Sequence, residues 1–88
     1  MEYGITIYGP ATCVIRVQGV LAPDWSAQMA EMRIAVQRGE HRPITVLSGE
    51  LTDQAALHGV LAALYELGLP LISVECTPFA AEEKVGSR

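Results

Sequence analysis

The chain has 88 residues, half of them hydrophobic, and a formal net charge of −4. That length supports one hydrophobic core and leaves no room for a second domain. Its six cations (Arg16, Arg33, Arg38, Arg42, Lys84 and Arg88) are scattered along an acidic chain, which disfavours nucleic acid as a partner.

Residues 3–8 alternate, with Tyr3, Ile5 and Ile7 on one face, and are expected to form a short strand ended by Gly9-Pro10. Residues 12–18 alternate again, with Cys13, Ile15 and Val17 on one side and Thr12, Val14, Arg16 and Gln18 on the other. Pro23 and Asp24 then suit the first turn of a short helix through Ala30, with Trp25 and Met29 as its buried stripe. A strand over 32–37 places Met32, Ile34 and Val36 inward, and a polar turn over 38–43 leads to a strand over 44–48 that Gly49 breaks. Thr52 or Asp53 caps the clearest element, a helix whose Leu57, Val60, Leu61 and Leu64 follow the 3.6-residue spacing. Gly68 in the left-handed position and Pro70 beyond it stop that helix, and residues 71–76 form the last strand.

Residues 57–74 are too interrupted, by Glu66, Gly68 and Pro70, to form a membrane span. The N-terminus has no basic region followed by a long apolar run. With only two cysteines, the expectation is a cytoplasmic chain with free thiols.

Setting the N-terminal strand aside, the order β-α-β-β-α-β predicts an α+β, ferredoxin-like fold. It comprises a four-stranded antiparallel sheet in the spatial order 4-1-3-2, with two helices on one face. Residues 1–78 then make one domain, with 1–11 as the extra strand and turn, and residues 79–88 make a flexible tail. The extra strand finds both edges of its successor occupied, so it must reach a sheet edge or a second subunit.

TVLSG at 45–49, LTDQAALHG at 51–59 and LGLPLISV at 67–74 form a strand–helix–strand unit. This unit resembles that of a family of short, uncharacterised bacterial proteins, and the resemblance covers roughly the C-terminal half of the chain. It supports the element order and implies no activity.

Ser48, Asp53 and His58 suggest a catalytic triad, but Asp53 and His58 are about 140° apart around one helix and cannot readily pair. Asp53 reads instead as a helix cap, and His58 as a surface residue beside Gln54. These three helix residues, Asp53, Gln54 and His58, are the only ligand-binding candidates, and no catalytic residue is assigned. Cys13 and Cys76 are expected side by side at one end of neighbouring strands, facing the helices as small core hydrophobes, with a redox pair as the alternative. His41 and His58 lack the short paired spacing of a zinc site, so neither metal nor cofactor is expected. Gly59, with Ala56 and Ala63, makes a small-residue stripe best explained by close packing.

The outer sheet face is expected to carry Val14, Ala35, Leu47 and Leu71 among Arg16, Arg33, Gln37, Thr45 and Glu75. That mixture suits a self-complementary interface. Val14, Leu47 and Leu71, with Ile5 and Ile7 of the N-terminal strand, are the interface candidates. The leading reading is a homodimeric or higher homo-oligomeric interaction module that is not an enzyme. The alternatives are a small-ligand-binding or regulatory domain with a pocket between subunits, and a small enzyme using Cys13, Cys76 or His58.

Overall fold

The computed structural model describes residues 7, 9–38 and 40–78. The strand expected over 3–8, Ile7 apart, and the tail expected over 79–88 lie outside the described residues. The described chain runs β1 (Ala11–Gln18), a 3-10 helix (Pro23–Met29), β2 (Arg33–Gln37), β3 (Ile44–Leu51), α1 (Gln54–Glu66) and β4 (Leu71–Pro78). The sheet order is β2-β3-β1-β4, with every neighbouring pair antiparallel. From the other edge this reads 4-1-3-2, so β1 and β3 are central.

The α-helix forms where its apolar period is strongest. Leu57, Val60, Leu61 and Leu64 are all buried. Asp53 caps it by accepting the Ala56 N–H at 2.9 Å, satisfying one of the N–H groups that have no partner inside the helix. At the other end Gly68 takes φ +78°, and the Leu69 N–H donates to the Leu64 carbonyl. That is the glycine-terminated stop the sequence signals.

The first helix departs from the expected α form. A 3-10 turn advances by about 120° per residue, so residues four apart no longer share a face. Met29 is accordingly buried while Trp25 is 39% exposed, which corrects the stripe expected of that pair. The helical layer over the inner sheet face therefore consists of one α-helix and one 3-10 helix.

The second correction concerns the phase of β3. Ile15 faces Leu47 across the sheet and Arg16 faces Val46, so Leu47 points into the core and Val46 points out. Leu47 is 0% exposed, not an outer-face residue. Thr45 is the cause. It too faces inward and is fully buried, and its Oγ1 donates to the Gly19 carbonyl at 2.7 Å and accepts the Leu21 N–H at 3.0 Å. A hydroxyl so paired can occupy a core position, which reverses the apparent alternation of this strand. Replacing Thr45 with Val should leave both backbone groups without that partner at unchanged volume. The expected loss, read by denaturant unfolding, is about 1–3 kcal/mol.

Gly49 does not end β3, which continues to Leu51 and carries it into the core. A Cβ at Gly49 would lie 3.4 Å from the Met32 backbone, and its φ of +156° is one that other residues rarely adopt. The third correction lies in β4. Its pairing with β1 shifts register between Arg16 and Val17, so Leu71 faces Val17 on the inner side. Ile72, which alternation with an outward Leu71 would have turned inward, is 49% exposed. Leu71 thus leaves the outer face as Leu47 does. Ile7 is also buried, within the core cluster, and Ile5 lies outside the described residues.

Candidate functional site

Gln54 and His58 do come together on the first turns of α1, and Asp53 stands before them as the N-cap, all as structural polar groups. The Ile7 N–H donates to Gln54 Oε1 at 2.6 Å. The Gln54 amide nitrogen lies 2.9 Å from His58 Nε2. An amide NH2 can only donate, so the imidazole accepts at Nε2 and carries its hydrogen on Nδ1. With Asp53 engaged in capping, the group anchors the chain at Ile7 to the start of the helix. Ser48 sits on the outer side of β3, next to Val14 and Arg33 in the strand pairing, whereas α1 covers the inner side. The sheet separates Ser48 from His58, and the triad is not assembled.

Cys13 and Cys76 are directly opposed across β1 and β4, with Cα atoms 4.1 Å apart, and they form a disulfide. Their placement was legible in the sequence. Their expected state as free thiols is corrected, and with it goes one of the two grounds for expecting a cytoplasmic chain. No helix among the described residues is long and apolar enough to cross a membrane. Nor do the described residues gather three or more metal-ligating side chains.

The concavities divide by chemistry. A groove of about 280 Å³ between the end of α1 and the start of β4 is lined by Leu61, Leu64, Tyr65, Leu69, Pro70 and Leu71. It lacks the convergent polar groups that orient a small ligand. A wider, open hollow of about 520 Å³ lies on the outer side of the sheet, between Thr12, Glu31, Arg33, Ser48 and Gly49.

That hollow belongs to the most distinctive surface of the domain. Among the described residues no segment covers the outer sheet face, since both helices lie on the inner side. The strand pairing arranges this face in rows. Arg33, Ser48, Val14 and Glu75 form one row, and Ala35, Val46, Arg16 and Ser73 the next. Ile44 lies between Gln37 and Gln18 in a third. Val14, Ile44 and Val46 are half-buried by their neighbours, while Arg33 and Ala35 are exposed. Arg16 and Glu75 approach within 3.8 Å, with side chains 41% and 73% exposed, and a pair so open to water contributes little. Val46 and Ile44 escaped the sequence reading because the buried Thr45 reversed the phase.

Fold and surface together define a small antiparallel α+β domain, tied from β1 to β4 by a disulfide and carrying a sheet face of mixed apolar and charged character that no described residue covers. A family model described as Domain of unknown function (DUF8691) matches residues 12–75, a stretch that touches all four strands, and the chain belongs to that family. No curated protein and no solved structure matches it.

Proposed function

We propose that this chain is a small protein-interaction module that acts as a homo-oligomer and performs no catalysis of its own. The observation that supports this reading is the uncovered sheet face, with Val14, Ile44, Val46 and Ala35 set among Arg16, Arg33 and Glu75. A face buried inside one chain would lack those charges, and a face meant only for water would lack that apolar middle. We read the fold itself as a ferredoxin-like arrangement in which a 3-10 helix replaces the first α-helix. Among the described residues such a domain leaves one sheet face free for association.

A small domain gains stability by associating, because it buries only about 60% of the surface of its unfolded chain when alone. Two-fold dimers are the commonest closed assembly. Sedimentation velocity or light scattering at micromolar concentration should give twice the chain mass or a higher multiple. The monomer mass throughout that range would refute the proposal.

A further inference from the structure

Resting on that reading, we infer that the second copy lies face to face on the outer sheet, related by a two-fold axis that runs parallel to the strands between β1 and β3, so that Arg33 of each copy meets Glu75 of the other. The row Arg33–Ser48–Val14–Glu75 carries the argument. It crosses the whole sheet, with a cation on the β2 edge and an anion on the β4 edge. A two-fold axis along the strands exchanges those edges without moving the row along the strands. Arg33 then faces Glu75 of the second copy twice, Ser48 faces Val14, Val46 faces Arg16 and Ala35 faces Ser73.

The other in-plane two-fold, across the strands and centred on the Arg16 row, would set Arg16 against Arg16. Like charges in direct opposition cost binding energy, and wherever it is centred an axis across the strands lays each strand over its own copy and never brings Arg33 to Glu75, so the charge pattern selects the first axis. The sheet twist keeps the two strand directions within about 30° in such a sandwich, close enough for the rows to meet.

Area is of the right order for this choice. Three strands of eight residues and β2 of five, at about 4.8 Å spacing and about 3.3 Å rise, make a face of roughly 460 Å² per copy. Two such faces come to roughly 900 Å², just under the size of about 1,000 Å² at which specific association becomes stable. Arg33 is exposed and has no ion pair among the described residues, and the 73% exposed Glu75 side chain meets Arg16 of its own chain only at 3.8 Å, a surface pair weak enough to give way to Arg33 of the second copy. The hollow beside Arg33, bounded by Thr12, Glu31, Ser48 and Gly49, provides room for the incoming side chain, with Arg33 offsetting the Glu31 carboxylate at its rim.

Two charge reversals and their mixture test the geometry. Arg33→Glu alone sets carboxylate against carboxylate at both ends of the row, and Glu75→Arg alone sets guanidinium against guanidinium at the same two places. Each variant should fold, as circular dichroism will report, and should weaken its own dimer at least about tenfold. In an equimolar mixture every reversed charge finds an opposite one, so a heterodimer should form with affinity near that of the parent. Raising the salt concentration should weaken the parent dimer. A parent dimer indifferent to Arg33→Glu, or a mixture that stays dissociated, would overturn this geometry and leave the homo-oligomer itself standing. A monomeric parent chain would overturn the reading beneath it.

Discussion

Reducing the Cys13–Cys76 bond is expected to cost the domain about 4 kcal/mol, by the chain-entropy account of a cross-link whose ends are 63 residues apart. The size of the effect follows from topology. Cys13 stands near the start of β1, Cys76 near the end of β4, and between them lies almost the whole described fold. Without the bond the unfolded chain regains the freedom of that entire loop. A domain of this length has a total stability of about 4–13 kcal/mol at the usual per-residue average, so the loss removes a third of it or more. Urea unfolding with and without a reductant should show a large fall in the midpoint. The Cys13→Ser, Cys76→Ser double variant should resemble the reduced protein and no longer respond to reductant. Coincident curves for oxidised and reduced protein would show that the bond contributes nothing.

The same pair illustrates how far the sequence could be read. Alternation placed both cysteines on inward positions of neighbouring strands, and the strand order brought them to one end of the sheet. Whether two adjacent sulfurs are joined depends on oxidant and compartment, which residue spacing does not encode. The α-helix was fully legible, because four large apolar residues at 3.6-residue spacing lie between an aspartate cap and a glycine stop. The strand order followed from the β-α-β-β-α-β element order, whose split arrangement places the first and third strands centrally.

Three local features were hidden. Thr45 is buried because two backbone groups satisfy its hydroxyl, and those groups are distant in sequence. The register shift opposite Arg16 and Val17 depends on how β4 meets β1, and alternation within β4 carries no trace of it. The 3-10 form of the first helix rotates Trp25 away from Met29, although the sequence there has ordinary helix-start residues. Of the candidate site, Asp53, Gln54 and His58 were identified as a surface group with a capping role. The outer face was expected to mix apolar and charged residues, and it does, with its β3 residues one position out of phase. Val14, Ala35, Arg16, Arg33 and Glu75 keep their places on it.

Leu47→Lys should abolish the folded state, whereas Val46→Lys, one residue earlier, should leave the fold intact and dissociate the proposed dimer. Leu47 lies in a central strand between Ile15 and Ile34. It is 0% exposed beneath the helical layer, and a lysine there has no route by which its ammonium could reach water. Deleting the leucine packing costs about 2–5 kcal/mol, and burying an unpaired charge adds several more. The sum matches or exceeds the stability of about 4–13 kcal/mol expected of a domain this size. Val46 lies on the opposite side of the same strand, between Arg16 and Ala35, where a lysine can extend into solvent. In the dimer that lysine would face Arg16 of the second copy, twice over, and like charges there oppose association. Circular dichroism should therefore lose its cooperative thermal transition for the first variant and keep it for the second, while light scattering of the second should give the monomer mass. The reverse outcome, a folded Leu47→Lys and an unfolded Val46→Lys, would mean that β3 is displaced by one residue, because such a slip exchanges every side chain between the two faces.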